Sequence, residues 1–350
     1  MTNPYDGLPQ EAFWRPAVGS RNPLEINGLW KAKFTLSKEE PIITAGSCFA
    51  QHIGRALKAN GFNWHDAEPG PGSSELQRKF GYGVFSFRTG NIYTAALLRQ
   101  WLEWAFDVSE PSSEAWEKNG RYFDPFRPAI EPDGFVSEAE LLAARASTLR
   151  AIRSAFETAR LFVFTMGLTE GWVNGKSGIA YAMCPGTVAG EFVPEEHEFR
   201  NYRHGEIDSD MRAVIALVRQ VNPELKILLT VSPVPLTATY SANHVLVATT
   251  YSKSVLRGVA GDLAADHEFI DYFPSYEIIS SPPYRGMFYQ PNAREVSLRG
   301  VSHVMEQFFA GLGPVEDQPK AAKPRPKRAA PPPDDSDVDC EEALLEAFER

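Results

Sequence analysis

The chain has 350 residues, 43% of them hydrophobic, and its 35 basic and 45 acidic side chains give a formal net charge of −10. That apolar content excludes a disordered chain, and the acidic balance argues against a protein whose affinity rests on nucleic-acid phosphates or anionic lipid. The length allows one large α/β domain or two modest ones. Cys48, Cys184 and Cys340 stand far apart with no CxxC spacing, which supports neither a disulfide framework nor a thiolate metal site and points to a reducing compartment. The first residues, MTNPYDGLPQEAFWRP, have no basic region leading into an apolar one. No run approaches the ~18 apolar residues a membrane span needs. The expectation is a cytoplasmic protein with no nucleic-acid and no membrane partner.

Taken in chain order, apolar strand-like runs fall at Pro41 to Ala45, Leu161 to Met166, Lys226 to Val231 and Phe269 to Phe273. Helical spacing fills the intervals at Phe49 to Ala59, Ile92 to Phe106, Ser137 to Glu157, Asp208 to Gln220, His244 to His267 and Val296 to Leu312. Strands that alternate with long helices predict βαβ units and a mainly parallel sheet covered on both faces. One domain over residues 1–313 is therefore expected. Beyond it, Pro314 to Arg350 holds seven of the 27 prolines. Residues 314–338, with basic residues ahead of acidic ones, have the composition of a disordered linker. Asp339 to Arg350 regains helical spacing through Leu344, Leu345 and Phe348, the pattern of a short helix able to dock into a protein partner's groove.

In open parallel sheets ligands bind beyond the carboxyl ends of the strands. After the first run comes Gly46-Ser47-Cys48-Phe49-Ala50: a glycine for a sharp exit, then a serine at a helix start, where a hydroxyl lies beside backbone N–H groups. The second run ends in Gly167-Leu168-Thr169-Glu170-Gly171-Trp172, which brings a carboxylate and an aromatic face to the same rim. The next ends in Val231-Ser232-Pro233-Val234-Pro235. Between these lies Phe85-Ser86-Phe87-Arg88-Thr89-Gly90-Asn91, which sets one Arg and one Asn among aromatic residues. Arg88 is either a clamp for an anionic group or a tie between loops. Lys253 and Arg257, at i and i+4, have the spacing of a solvated cationic stripe. His197 and His204 match no metal-ligand spacing, and neither a metal nor a cofactor is expected.

The pentapeptide at residues 46–50 is the one that names the GSCFA family, and the chain resembles that family from roughly Ile42 to Phe309. Val231 to Val234, Tyr251 to Ser254 and Gly83 to Thr94 are similar to its later blocks. The family in turn resembles the SGNH (GDSL-like) hydrolases: a three-layer α/β/α sandwich of flavodoxin type, with a serine just after the first strand and ester substrates, often acyl groups on glycans or lipids. The resemblance implies Ser47 as nucleophile and its own N–H as one oxyanion donor. Gly83 would be a second donor, with Gly81 and Gly90 as alternatives in the same loop. Thr169, near the place of the usual asparagine, would complete the oxyanion hole through its hydroxyl. Arg88, Asn91, Gly167, Glu170, Trp172 and Ser232 would line the substrate.

The usual Asp-x-x-His is replaced, since Asn292 and Glu295 fill its two positions. Of the seven histidines, His52 is turned about 140° from Ser47 on its helix, and His303 falls within the last helix. His65 and His267 fall near a turn and a helix end. His244, which starts a helix on the site rim, is the remaining candidate base, with Glu277, Asp271 or Glu170 to orient it. Three classes of function follow. The chain is a serine esterase or acyltransferase on a small-molecule or glycan ester, a catalytically inactive binding protein for a glycan or other small ligand, or a scaffold acting through its tail.

Overall fold

The computed structural model describes residues 3–313 and 341–348. The expected linker at 314–338 lies outside the described residues, as do Asp339 and Cys340.

Strands β1 (Ile42–Gly46), β4 (Leu161–Met166), β8 (Lys226–Val231) and β9 (Ile270–Phe273) form a parallel sheet in the order β1-β4-β8-β9. A further extended stretch joins β1 on its other edge. Ile42 bridges Trp64 in parallel, its N–H donates to the Asn63 carbonyl at 2.9 Å, and its carbonyl accepts from His65 N–H at 2.8 Å. Counting that stretch as the second strand, the order is 2-1-3-4-5, the flavodoxin-like doubly wound arrangement. The sequence order reverses between β1 and β4, so a crevice is expected there.

Period-two alternation decides what each strand touches. Ile42, Leu161, Val163, Leu228 and Phe273 face one layer, with α1 (Phe49–Ala59), α7 (Ser275–Ser280) and α8 (Leu298–Gly311). Ile43, Ala45, Phe162, Phe164, Ile227 and Leu229 face the other, with α3 (Ala95–Ala105), α4 (Glu138–Thr158), α5 (His204–Val221) and α6 (Val245–Asp266). All six residues of β4 are buried, as a central parallel strand covered on both faces requires. The three-layer α/β/α sandwich is thus the observed architecture. Ser137 and Ser297 start α4 and α8 by accepting from the N–H of Glu140 and Gly300, at 3.1 and 3.2 Å.

Periodicity did not foresee four smaller elements. These are α2 (Ser74–Lys79), the hairpin of β2 (Trp116–Lys118) and β3 (Arg121–Phe123), α7, and an antiparallel sheet of β6 (Ala180–Tyr181), β5 (Glu170–Asn174) and β7 (His197–Asn201). The last is inserted between β4 and α5 and carries Glu170 and Trp172 over the end of the main sheet. Residues 341–348 form a 3-10 helix packed on the chain's own strand ends, which is where the apolar spacing of the terminal segment is used.

Candidate active site

At the reversal point the chain leaves β1 through Gly46, with φ at 132°. A Cβ there would collide with the Thr165 backbone, its nitrogen 2.7 Å away, so only glycine lets β1 and β4 stay paired up to their ends. Ser47 follows. Its N–H, expected as an oxyanion donor, donates instead to the Thr165 carbonyl at 3.0 Å, and its carbonyl accepts from Ala50 N–H at 2.9 Å in the first turn of α1. The side chain is 2% exposed and its Oγ has no hydrogen-bond partner. A buried hydroxyl costs about 1–3 kcal/mol when left unpaired, a cost that Ser47 shares with Thr165, Thr237 and Tyr284.

Gly167 faces it. A Cβ on Gly167 would sit 3.1 Å from Ser47 Cβ and 3.0 Å from the Tyr93 carbonyl, so glycine keeps this wall close to the serine. The Tyr93 carbonyl accepts from the N–H groups of Gly167 and Leu168, at 3.2 and 2.9 Å. Lys253 Nζ donates to the Gly167 carbonyl at 2.7 Å. Lys253 is fully buried, and Arg257 stacks 4.0 Å above the Tyr272 ring while pairing with Glu277 at 2.5 Å. The expected solvated stripe is therefore wrong: this helix face lies against the strand ends, and the lysine reaches the serine's wall.

Two cavities are lined by chain neighbours of these residues, though by none of Ser47, Gly167 or Lys253 themselves. One, of about 460 Å³, is bounded by Tyr93, Leu168, Glu170 and an aromatic cluster in which Trp172 meets Phe192, Phe199 and Tyr240 with centroids 5.0–5.6 Å apart. The other, of about 370 Å³, is bounded by Gln51, Gly90, Asn91 and Ile130. Glu170 accepts from Thr239 Oγ1 at 2.7 Å and Tyr240 N–H at 3.3 Å, and burial lifts its carboxyl above the ordinary range despite those bonds.

Several sequence assignments are corrected. His244 is an exposed N-cap whose Nδ1 accepts from Leu246 N–H at 3.2 Å. With Nδ1 serving as acceptor, the neutral ring carries its proton on Nε2 and has no lone pair there for a serine. Its proposed orienters are engaged elsewhere: Asp271 accepts from Trp30 Nε1 and Lys33 N–H, Glu277 binds Arg257 and Tyr272, and Glu170 binds Thr239. Replacing His244 with Ala is expected to cost about 0.5–2 kcal/mol as a lost cap, with Asn restoring it. Catalytic rate should change less than about twofold in both variants, which chemical denaturation and turnover measured side by side will check.

Thr169 is also removed from the oxyanion role. Its N–H donates to Ser252 Oγ at 3.0 Å and its hydroxyl to Asn201 Oδ1 at 2.8 Å, so both donors are spent on holding the β5 sheet and α6 to the strand end. Gly83 lies off the site: its carbonyl accepts from Lys58 Nζ at 2.9 Å, near the opposite end of α1 from Ser47. In that loop both alternatives, Gly81 and Gly90, line a cavity with Asn91 and Gln51. Arg88 is the tie rather than the clamp. Its guanidinium donates to the carbonyls of Phe80 and Ile130 at 2.7 and 3.0 Å, pairs with Glu131, and lies 4.2 Å over Tyr82. Ser232 is a turn residue, its N–H on the Met166 carbonyl at 2.9 Å and its Oγ accepting from Val234 N–H at 3.3 Å. Asn91 lines the smaller cavity, Glu170 and Trp172 line the larger, and Gly167 faces Ser47.

The other histidines lie outside this machinery. His52 packs on Phe49, and burial, with Arg55 adding to it, pushes its pKa down to about 4. His303 is a buried ring stacked on Phe288, and burial lowers its pKa too. His197 accepts from Val193 N–H at 2.9 Å, and His204 lies 3.2 Å from Asp262. Among the described residues no cluster of His, Cys, Asp and Glu could hold a metal ion, and no helix is long and apolar enough to cross a membrane. Among the described residues Cys48 and Cys184 form no disulfide; burial pushes Cys184 up to about 11.

Two solved structures are similar. One, provisionally described as a GDSL-like lipase from Parabacteroides merdae, shares 11% identity over 81% of this chain and 99% of its own, with a TM-score of 0.33. The other, provisionally described as a platelet activating factor from Streptococcus pneumonia, shares 15% identity over 50% of this chain and 67% of its own, with a TM-score of 0.27. No curated protein matches the sequence. It is the strand order and the layers that carry the fold. The model of the GSCFA family matches residues 41–308, spanning the sheet, both helical layers and Ser47, and the chain belongs to that family.

Proposed function

We propose that this protein is a serine hydrolase of SGNH type that cleaves or transfers an acyl ester, with a carbohydrate as the acyl-bearing group. The observation that carries the reading is the Ser47 hydroxyl: buried, unpartnered, and set at the sequence-order reversal of a 2-1-3-4-5 sheet where α1 begins. Ser47 Oγ would attack the ester carbonyl carbon, form the acyl–oxygen bond and pass its proton to a nearby base as the alkoxide leaves. The α1 N-terminus would stabilise the oxyanion through its backbone dipoles. The aromatic wall of Trp172, Phe199 and Tyr240 suits the flat apolar face of a sugar ring, and Glu170 and Asn91 offer polar groups to its hydroxyls.

For the base we propose Lys253: its buried Nζ donates to the carbonyl of Gly167, the residue that faces Ser47, and would have to turn from that carbonyl to reach Oγ, as in the serine–lysine pairs that perform this chemistry in other folds. Lys253→Met should lower kcat by about 100-fold or more, and Lys253→Arg should not restore it, since guanidinium does not give up its proton. A structural role predicts instead that Arg rescues the rate and that kcat keeps its pH profile. The whole reading is tested by turnover of p-nitrophenyl acetate and of acetylated sugars: a rate above buffer supports it, and none with either substrate class counts against it. The unpartnered state of Ser47 Oγ also favours a second reading, a binding protein with the esterase fold. That reading predicts a rise in melting temperature with acetylated sugars and no turnover.

A further inference from the structure

The 3-10 helix Glu341–Phe348 returns to the strand ends and forms part of the wall of both cavities, the one lined by Tyr93 and Leu168 and the one lined by Gln51 and Asn91. Glu342, Leu345 and Phe348 face the larger cavity, and Glu341 and Leu344 face the smaller. Glu341 and Glu342 are buried, at 7% and 8% exposure, although each brings a carboxylate out of water. Burying a carboxylate is unfavourable unless hydrogen bonds or an opposite charge replace its hydration.

For Glu342 they do. Its Oε1 accepts from Thr237 N–H at 2.8 Å, its Oε2 lies 3.5 Å from Arg294 Nη2, and its own N–H donates to Tyr93 Oη at 3.4 Å. Arg294 also faces Glu346 at 3.8 Å. The three contacts come from three separate parts of the fold: the loop after β8, the turn before α8, and the loop before α3. Tyr93 is the same residue whose carbonyl positions the Gly167 wall of the serine. Arg294 lies in the turn whose Asn292 and Glu295 stand where the usual Asp-x-x-His would be. The stretch that lost the catalytic histidine thus supplies a cation to the same end of the sheet.

We propose that Thr237 N–H and Arg294 form a carboxylate-binding subsite of the active-site cleft, and that Glu342, with its backbone N–H anchored on Tyr93 Oη and with Leu345 and Phe348 beside it, fills that subsite in cis as a displaceable plug. The ligand class that replaces the plug pairs a carboxylate with an apolar or aromatic-stacking group, the chemistry the helix itself presents. As a subsite for substrate this rests on the esterase reading, but occupation of the cleft by the chain's own acidic segment does not.

The test uses the full chain carrying Glu342→Lys, Leu345→Asp and Phe348→Asp, with a fluorophore-labelled peptide of residues 341–348 as the probe and anisotropy as the readout. The expected result is saturable binding to the triple variant and at least about tenfold weaker binding to the unaltered protein, whose own segment competes. A peptide with Gln in place of its second Glu should bind the triple variant about tenfold or more weakly, the factor expected for losing a hydrogen-bonded charge. Equal binding by both proteins, or indifference to the Gln, overturns the proposal. Should the triple variant unfold, Glu342→Gln alone is measured by hydrogen exchange. Faster exchange confined to residues 341–348 supports the plug, and unchanged exchange there contradicts it. Neither readout needs turnover, so a protein that binds the peptide yet cleaves no ester refutes the esterase reading and leaves the plug standing. One that cleaves esters but ignores the peptide does the reverse.

Discussion

Replacing Ser47 with Ala should lower ester turnover by at least about 10³-fold while leaving the fold as stable as before or slightly more so. The activity loss follows from removing the attacking oxygen, an effect on the order of 10³ to 10⁶ in serine hydrolases, where the nucleophile acts as a unit with its base. The stability argument is separate. Ser47 Oγ has no hydrogen-bond partner and is buried, so the hydroxyl carries a desolvation cost that Ala does not. Cβ stays in place against Gly167, and no cavity larger than one oxygen opens. A structural serine predicts the opposite combination, a fall in stability with activity reduced in proportion. Turnover and the urea midpoint, measured on one preparation, therefore separate a nucleophile from a helix-starting serine.

The second large effect concerns the support behind the site. Asp124 is fully buried between two guanidinium groups, Arg127 Nε at 2.9 Å and Arg145 Nη2 at 2.9 Å. Arg127 then donates to the Arg88 carbonyl at 2.7 Å and to Thr148 Oγ1 at 2.6 Å. Thr148 donates to Glu68, whose second oxygen accepts from Arg88 N–H at 2.9 Å. The loop that presents Gly90 and Asn91 is held through this network. Asp124→Ala leaves two cations without their counter-charge and should cost about 3–5 kcal/mol, far more than the network contributes relative to apolar residues.

The pH dependence has a definite sign. Burial works to raise the Asp124 carboxyl, but Arg127 and Arg145 outweigh it and hold the group below its ordinary 3.8. A folded-state pKa below the unfolded one stabilises the protein above about pH 4, and that stability is lost as pH falls through the folded value. Acid unfolding followed below pH 4 should show this slope in the native protein and a shallower one in Asp124→Asn.

Much of the architecture was legible because parallel sheets write plainly: runs such as LFVFTM and KILLTV are buried on both faces, and long helices separate them. The position of Ser47 followed from the same pattern. The β5 sheet did not show, because EGWVN and HEFRN are short and half-exposed and pair only once the chain is folded. Lys253 looked like surface charge because its partner, the Gly167 carbonyl, is 86 residues away and is a backbone atom that no side-chain pattern reports. His244 looked like a base because spacing sees a histidine on a rim, not a ring nitrogen already accepting from Leu246 N–H. The alternative readings of Arg88 could be separated only by distance, and the carbonyls of Phe80 and Ile130 separate them. For the terminal segment, the apolar spacing was visible, but its receiving surface is assembled from three distant loops.

The central claim is that Ser47 is the nucleophile, and covalent labelling tests it most directly. The full chain with Glu342→Lys, Leu345→Asp and Phe348→Asp, which opens the cleft, is treated with a fluorophosphonate probe, digested and mapped by tandem mass spectrometry. The expected result is one phosphonylated peptide, with the adduct on Ser47 and its yield reduced in Lys253→Met. An adduct on a different serine, or none under conditions that label a known serine esterase, would contradict it.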